Sequence, residues 1–447
     1  MSTNTELLDN RDELTRIIDS VLTQAKELGA SAAEAEVGVG SGLSANVRKG
    51  EIDKLEYERD KALSITVFID GQKGNSSTSD FSDNAIKQSV QAAIGIARYA
   101  SRDEFAGLVE PELMATEFPD LDLYHPWDIS PEAAIELAIN CEQLAFDADK
   151  RISNSDGSVV STYSGLNLYG NTHNFINGWN WSNHTIDCTV IAEDSNGMQR
   201  DGWYSKTRDY HDLQSAKEIS QEAARRTVAK LGSRKLKTCQ APVIFEAPVA
   251  SGLFSAFITA ISGGSLYRRA SFLLDKKGEQ VFADHINISE QPYIKKALGS
   301  APFDNDGVAT REHDIIKDGV LQEYVLSGYS ARKLGLQTTA NAGGVHNLVI
   351  EPGKESLDEL VKKMGNGLLI TDMIGFGVNQ ITGDYSRGAS GFWVENGELA
   401  YPVEEITVAG NLIDMYKNII SIASDVDPRG NVLTGSVLMD TMTIAGE

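Results

Sequence analysis

Seven histidines and three cysteines are the imidazole and thiol side chains here that could bind a transition metal, and they are widely spread. They are His125, His173, His184, His211, His285, His313 and His346, with Cys141, Cys188 and Cys239. A catalytic zinc ion takes three protein ligands, commonly two from one helix at short spacing. No two histidines lie within ten residues of each other. The spacing therefore predicts no helix-borne zinc site, and convergence of His285, His313 and His346 in the fold is an alternative that no spacing favours.

Motifs for other chemistries are missing from the sequence. It contains no G-x-x-x-x-G-K-[ST] or G-x-G-x-x-G to hold phosphates and no G-x-S-x-G nucleophile turn. Residues 304–307 resemble part of a calcium loop, but His313 stands where that loop needs a glutamate. We interpret this run as an acidic β-turn. Asp304, Asp306, His285 and His346 are kept as weak candidates for the lining of a cleft.

The charge of the chain argues against nucleic acid and membrane partners. Asp and Glu outnumber Lys and Arg by 64 to 40, which gives a formal net charge of −24. A field of that sign repels phosphate backbones and anionic lipid head groups. We therefore expect no direct nucleic acid partner and no membrane surface.

Cysteine usage and the first residues point to the cytoplasm. The three cysteines are far apart and odd in number, which is typical of a reducing compartment rather than of a disulfide framework. Residues 1–10 have neither a basic nor an apolar stretch of the kind that a secretion signal needs. The longest apolar stretch, residues 247–261, is too short to cross a bilayer. A cytoplasmic location is expected.

The order helix, three strands, helix is predicted twice in an N-terminal α+β domain, residues 1–235. Switches between helical and alternating periodicity place these elements. The first set is a helix at 7–28, strands at 33–47, 52–59 and 62–69, and a helix at 83–99. The second is a helix at 132–149, strands at 159–169, 175–182 and 185–193, and a helix at 215–231. The proline-rich stretch 111–131 is interpreted as the cross-over between them.

The second half, residues 241–447, is predicted to be a β-rich and mostly antiparallel domain, so that the fold class is α+β. Asp318-Gly319 and Asn396-Gly397 are dipeptides that close two-residue hairpins. They would join strands at 314–317 and 320–326, and at 391–395 and 398–403. One helix is predicted at 356–364, and an extended run at 436–444.

Several blocks of the second half follow a recognisable family pattern. They are Phe303-Asp304-Asn305-Asp306-Gly307, Ile315 to Leu321, Asn347 to Gly353, Gly383 to Gly391, Phe392-Trp393-Val394-Glu395-Asn396-Gly397-Glu398 and Tyr401-Pro402-Val403. On these residues the chain resembles the TldD/PmbA family, most strongly over residues 240–447. The resemblance implies a cytosolic zinc peptidase that is assembled from two related subunits and acts on unfolded peptides. Peptide antibiotic maturation and antitoxin turnover are the processes that it implies.

The resemblance also implies that this chain is the PmbA (TldE) type of subunit, without a metal site. In the TldD branch, an H-E-x-x-x-H helix and a later cysteine supply the zinc ligands and the catalytic glutamate. That helix aligns with residues 248–262, where Ser255 and Ala260 replace the histidines and Ala256 replaces the glutamate. No cysteine follows Cys239. Serine and alanine cannot replace imidazole as zinc donors, so zinc is expected only in a TldD-type partner.

The aligned helix should nevertheless have one apolar and one small polar face. Phe254, Phe257, Ile258 and Ile261 follow helical spacing and are predicted to face a core. The small polar stripe consists of Ser251, Ser255, Thr259 and Ser262. Close packing of a neighbouring element on this stripe is the favoured interpretation, and the wall of a cleft is the other. Gly263-Gly264 is predicted to end the helix.

Three hypotheses of function follow. The first is a non-catalytic subunit that pairs with a zinc-bearing TldD-type partner to enclose extended peptides, and that forms a homodimer when it is alone. The second is a homo-oligomeric peptide-binding or regulatory protein without catalysis, for which the family's older label, modulator of DNA gyrase, would describe an indirect effect. The third is an independent peptidase with a metal bound by His285, His313 and His346.

Overall fold

The computed structural model describes residues 11–446 and divides their strands among three sheets. The helices are α1 (Arg11–Glu27), α2 (Asp83–Tyr99), α3 (Pro131–Ala148), α4 (Ala216–Ala229), α5 (Ala247–Ile261), α6 (Gly263–Tyr267), α7 (Gly328–Leu334), α8 (Leu357–Met364) and α9 (Leu412–Lys417). The predicted start of the first helix at residue 7 lies outside the described residues. Within residues 11–446, no helix is both long and apolar enough for a membrane span.

The first sheet contains the first six strands and confirms the predicted repeat. The strands are β1 (Ala32–Arg48), β2 (Glu51–Ile69), β3 (Gln72–Thr78), β4 (Ile152–Asn171), β5 (Phe175–Asp194) and β6 (Gly197–Thr207). Their order is β3-β2-β1-β4-β5-β6, and all neighbours are antiparallel. Helices α1 and α2 pack on one half of the sheet, and α3 and α4 pack on the other.

The predicted division of these strands was wrong in both repeats. Segments 52–59 and 62–69 form the single strand β2, and 175–182 and 185–193 form the single strand β5. In β2 the alternation of apolar and polar residues is lost, because both faces of the strand's first half are exposed. In β5 the polar centre is buried and bonded, since His184 Nε2 lies 2.8 Å from the carbonyl of His125. The true third strands, β3 and β6, are too polar for the pattern to show.

The second half is β-rich and mostly antiparallel, as predicted, and its strands form two sheets. Its strands are β7 (Cys239–Phe245), β8 (Ile288–Glu290), β9 (His313–Lys317), β10 (Val320–Leu321), β11 (Leu348–Ile350), β12 (Gly367–Ile374), β13 (Asp384–Glu395), β14 (Glu398–Asn411), β15 (Ile419–Ile422), β16 (Val432–Leu433) and β17 (Val437–Ala445). The five-stranded sheet has the order β10-β9-β8-β11-β16, and the six-stranded sheet β14-β13-β12-β7-β17-β15. A further pairing of β14 with β17 closes five of these strands into a ring. Only β7–β12 and β11–β16 are parallel in the described residues.

Predicted strand lengths in this half were wrong in both directions. The strand expected at 320–326 stops at Leu321, because Val325 bonds to the carbonyl of Ile261 at the end of α5 instead. The strands expected at 391–395 and 398–403 belong to the longer β13 and β14. Helix α8 begins after Ser356, whose side chain caps it in a capping box with Glu359.

A buried ion pair connects α4, the last of the helices that pack on the first sheet, to the second half of the chain. Arg226 of α4 donates from Nη1 and Nη2 to the two carboxylate oxygens of Glu246, at 2.7 and 2.9 Å. The side chains are 8% and 13% exposed. Burial works to lower the pKa of Arg226, but the hydrogen bonds and charge of Glu246 outweigh it and raise that pKa. Glu246 directly precedes α5, so the pair positions the start of this helix.

Replacement of Arg226 by methionine should therefore destabilise the protein strongly. Breaking a buried pair leaves an uncompensated charge on Glu246 and costs about 3–5 kcal/mol. Urea unfolding followed by circular dichroism should show a clearly lower midpoint for Arg226→Met. The neighbouring Arg225→Met is the matched control, because Arg225 pairs with Glu222 on the surface and is 63% exposed. Equal midpoints for the two variants would contradict the role of the pair.

Candidate functional site

Helix α5 occupies the segment that was predicted to be a degenerate peptidase helix, with bounds of Ala247–Ile261. Pro248 lies in its first turn, where a missing N–H is harmless. Phe254, Phe257 and Ile261 are buried as predicted, and Ile258 is partly buried against the same core. Tyr416 Oη donates to the carbonyl of Leu253 at 2.9 Å and closes an aromatic cluster over the helix.

The end of this helix differs from the prediction. The chain leaves the helix at Ser262, which is extended, and Gly263 does not end α5 but begins the short helix α6. A Cβ on Gly263 would lie 2.1 Å from Oγ of Ser330 in α7. Glycine is therefore required here because another helix approaches closely, rather than because the chain needs a helix stop.

The three positions aligned with the zinc site do not point at one place. Ser255 is exposed, whereas Ala256 is 7% exposed and Ala260 is fully buried. Residues five apart are separated by about 140° around an α-helix. Ser255 therefore faces solvent while Ala260 faces the core, where its carbonyl accepts a hydrogen bond from Ser271 Oγ at 2.6 Å.

The small polar stripe is bonded to its own helix. Ser255 Oγ donates to the carbonyl of Ser251 and Thr259 Oγ1 to that of Ser255, both at 2.9 Å. Ser262 Oγ donates to the carbonyl of Thr259 at 2.9 Å. Ser255 and Thr259 are exposed, so no neighbouring element of the described chain packs on the middle of the stripe. The packing interpretation is wrong there, and this face of α5 is open.

Two of the three candidate histidines come together, and the third does not join them. His346 Nδ1 lies 2.9 Å from Oε1 of Glu290, and His313 Nε2 lies 3.6 Å from Oε2 of the same carboxylate. His285 is half-exposed and contacts its neighbour Asp284. Within residues 11–446, no group of three or more His, Cys, Asp or Glu side chains could hold a metal ion. His285, His313 and His346 are therefore not brought together as one group in the described residues.

Glu290 is the buried acceptor of this cluster. Its side chain is 2% exposed, and Asn341 Nδ2 also donates to it at 2.9 Å. Burial works to raise its pKa, but hydrogen bonds and charge from His346 outweigh burial and lower it. Because Nδ1 of His346 is engaged by Glu290, the ring is held with its other nitrogen turned away from that carboxylate.

Asp304 and Asp306 form the predicted acidic β-turn, but they are structural. Asp304 is 2% exposed, and its Oδ1 accepts the N–H groups of Asp306 and Val308 at 3.0 and 2.9 Å. Asp306 Oδ2 accepts the N–H of Gly328 at the start of α7, at 2.8 Å. Burial and then the charge of Asp306 raise the pKa of Asp304 to about 7. Burial also raises the pKa of Asp306 and, together with the charge of Asp306, that of Glu34 in β1.

A groove lies where the first sheet meets loops of the second half, and we call it the junction groove. It encloses about 340 Å³. Its walls come from β4, β5 and the segment after β6 on one side, and from loops 298–305 and 342–346 on the other. Of the histidines and aspartates considered for a cleft, His346 is among the residues that line this groove, whereas Asp304, Asp306 and His285 are not. Sequence reasoning missed Arg208, Trp179 and Trp181; the only signal was two tryptophans spaced for one face of a strand.

Comparisons with known proteins agree along the chain. Models of PmbA/TldA metallopeptidase domain 1, the central domain and the C-terminal domain match residues 33–97, 124–231 and 238–446. The metalloprotease PmbA of Escherichia coli O157:H7 is 47% identical over 435 residues, which cover 97% of each chain. A PmbA homolog of Haemophilus influenzae is 46% identical over 97% of this chain and 96% of its own.

Solved structures share the fold. A candidate modulator of DNA gyrase from Bacteroides thetaiotaomicron superimposes with a TM-score of 0.93 at 28% identity, over 98% of this chain and 99% of its own. TldE from Thermococcus kodakarensis superimposes with a TM-score of 0.85 at 22% identity, over 96% of this chain and 100% of its own.

The opposite orientations of Ser255 and Ala260 predict opposite tolerance to histidine. Ala260→His would place an imidazole in a filled core and should cost about 1–3 kcal/mol of unfolding free energy. Ser255→His should leave stability nearly unchanged, because that position is exposed. Urea midpoints measure both effects, and Ser255→His serves as the matched control. Equal losses would show that the orientation of α5 is not as described.

Asp306→Asn should stabilise the protein near neutral pH and less so in acid. Burial raises the pKa of the Asp306 carboxyl, so the folded state keeps a proton that the unfolded chain releases, and unfolding free energy falls as pH rises above the ordinary carboxyl pKa. Asparagine keeps an oxygen for the Gly328 N–H and removes the charge that burial disfavours. We expect a gain of up to about 1 kcal/mol near pH 7.5 that shrinks towards about pH 5. Urea titrations at both pH values test this.

Asp284→Asn is the control for this titration, because its side chain is 89% exposed. It should change stability little at either pH. A loss of stability in Asp306→Asn at both pH values would show that the carboxylate is needed in its charged form.

Proposed function

Because the chain belongs to the PmbA/TldD metallopeptidase family, we propose that it is the non-catalytic subunit of a cytosolic peptidase complex. It pairs with a homologous, zinc-bearing TldD-type subunit and helps to enclose a chamber for unfolded peptides. The chain itself supplies neither zinc ligands nor the catalytic glutamate. The maturation of peptide antibiotics and the turnover of antitoxins are the processes to which such a complex belongs.

This proposal rests on the side chains that α5 presents on its open face. The family places its metal ligands on this helix, and here the open face presents hydroxyl groups that already donate to helix carbonyls. Ala256 and Ala260 offer no donor atom at all. The one outward position of the three is Ser255, and a serine hydroxyl is not a substitute for a zinc-binding imidazole. A helix with this surface can support a chamber wall, but it cannot activate a water molecule.

The free edge of β2 supports the existence of a partner. Strand β3 pairs only with residues 63–69 of β2, so residues 51–62 have β1 on one side and no strand on the other in the described chain. Leu55 and Tyr57 share a face with the buried Ala45 and Leu43 of β1, yet they are 41% and 65% exposed. An open edge beside exposed apolar side chains is a site for strand addition. A second subunit or an extended peptide could complete the sheet there.

A specific feature of this edge also favours the second candidate function, a homo-oligomer without catalysis. If β2 met a second copy of itself antiparallel about Glu56, most residues would face a suitable partner. The pairs would be Glu51 with Lys61, Asp53 with Arg59, Lys54 with Glu58, and Leu55 with Tyr57. Opposite charges across strands stabilise pairing, although the two Glu56 side chains would repel each other. The same edge can thus hold the chain as a homodimer until a related subunit replaces one copy.

Substrate and location follow from the same proposal. A peptide that binds through main-chain hydrogen bonds is selected for being extended rather than for its sequence. The net charge of −24 disfavours direct contact with nucleic acid, so an effect on gyrase would be indirect. Sparse, unpaired cysteines are consistent with the cytoplasm.

Purification of the tagged chain from its own cells tests the proposed complex. It should recover a homologous subunit that carries H-E-x-x-x-H. The isolated chain should be metal-free and inactive on unfolded peptides, whereas the mixture should cleave them until a chelator is added. Recovery of the chain only as a stable homo-oligomer, with no activity gained from a TldD-type protein, would favour the second function.

Tyr57→Asp should weaken assembly without unfolding the subunit. It removes an exposed apolar contact and adds charge at the open edge, and loss of an interface hot spot costs about 2 kcal/mol, or about thirtyfold in Kd. Analytical ultracentrifugation of the chain alone and with its partner measures the effect. Tyr99→Asp is the matched control, since Tyr99 is 93% exposed at the end of α2. Unchanged assembly in Tyr57→Asp would place the interface elsewhere.

A further inference from the structure

The junction groove is unusual in its charge. No Asp, Glu or Lys lines it, although the chain has 64 acidic residues. Arg208 is the only permanently charged residue of the lining. Its Nη1 donates to the carbonyl of Ser182 at 3.1 Å and its Nη2 to that of Leu298 at 2.7 Å. These bonds hold the guanidinium between the two walls of the groove without neutralising it.

Arg208 lacks an anionic partner within residues 11–446. The adjacent Asp209 is engaged elsewhere, by Lys296 Nζ at 2.6 Å and by His211 Nδ1 at 2.9 Å. Burial lowers the pKa of Arg208 to about 10, with no opposing charge to raise it. Nε of Arg208 is also buried without a hydrogen-bond partner. A desolvated, unpaired cation is unfavourable in a fold and favourable as a receptor for an anion.

A second donor at the same groove has no partner. Nε1 of Trp181 is buried and makes no hydrogen bond. Each unsatisfied buried donor costs about 1–3 kcal/mol. The two residues that carry these donors, Arg208 and Trp181, both line one cavity of about 340 Å³. This coincidence indicates a binding site for an acceptor-only group.

The remaining wall is aromatic and fits an apolar side chain. Trp179 packs edge-on against Phe303, with ring centroids 5.0 Å apart, and Trp181 stacks on Tyr163. His346 lies on the opposite wall, oriented by Glu290. A carboxylate matches the guanidinium geometry, and an aromatic wall beside it matches an apolar side chain on the same ligand.

We propose that the junction groove binds the terminal carboxylate of a peptide whose last side chain is apolar, with Arg208 as the main anion receptor. Only the source of this ligand, an unfolded peptide, rests on the proposed function. The groove would hold the end of a chain that is presented to the complex. No bond is made or broken at this site.

Tryptophan fluorescence of the isolated chain tests the proposal directly, because two of the five tryptophans line the groove. The probe is an N-acetylated dipeptide that ends in phenylalanine, titrated as the free acid and as the C-terminal amide. The acid should bind with a Kd of about 1 mM or below, and the amide at least about tenfold more weakly. Equal binding of acid and amide, or binding of neither, would overturn the proposal.

Variants of Arg208 separate its charge from its structural bonds. Arg208→Gln should remove the preference for the acid, and Arg208→Lys should keep part of it. Arg151→Gln is the matched control, because Arg151 is 52% exposed and pairs with Asp149 on the surface. A preference that survives in Arg208→Gln would contradict the assignment. If neither Arg208 variant folds, the acid and amide titrations of the unaltered chain decide alone.

Three further ligands identify the source of the anion. Free phenylalanine or acetate that binds as tightly as the dipeptide acid would show a site for small carboxylates and overturn the peptide assignment. If inorganic phosphate binds and the dipeptide acid does not, the assignment of a carboxylate as the ligand is overturned. These titrations contain no partner subunit and measure no cleavage. Their failure would leave the proposed pairing untouched, and failure of the pairing would leave these titrations intact.

Discussion

The buried pair of Arg226 and Glu246 is the contact on which the arrangement of the two halves depends. Glu246 is the residue directly before α5. Arg226 lies on α4, which packs on the first sheet, and its guanidinium donates to the Glu246 carboxylate. Without Arg226 the charge of Glu246 would be buried and uncompensated, whereas Arg226 also has Asp201 and Glu222 at 3.5 and 3.9 Å. This pair therefore sets where α5 begins, and with it which residues of that helix face solvent and which face the core.

Helix α5 is held in the fold by the packing of its inner face. Its apolar side is part of the largest core, with Phe254, Phe257 and the hydrogen-bonded Tyr416, so the helix is retained for packing. Its outer side satisfies its hydroxyls internally. Packing constrains the inner face tightly, whereas nothing in the described chain constrains the outer face beyond solubility. The fold therefore depends on the inner face of α5 and tolerates change on its outer face.

The sequence allowed good prediction where one physical rule dominated. Apolar spacing located α5 and the repeated helices, and dipeptides such as Asn396-Gly397 located hairpins. Strand β2 was divided wrongly because its exposed half has no buried face to produce alternation. The inward direction of Ala260 depends on the helix register, which alignment with a distant motif does not fix. The junction groove was beyond prediction, because Arg208 and His346 are brought together only by the docking of two separate sheets.

Closure of the strand ring has a consequence for biosynthesis. Strand β17 lies between β7 and β14, and Val437 pairs with Phe245, far earlier in the chain. At typical ribosomal speeds, roughly ten to forty seconds separate the synthesis of these two partners. During that interval β7 has been made but lacks its neighbour β17, while the first sheet is already complete. The ring of the second half therefore cannot close, and the edge of β7 that β17 covers stays open, until the last strand of the chain has been made.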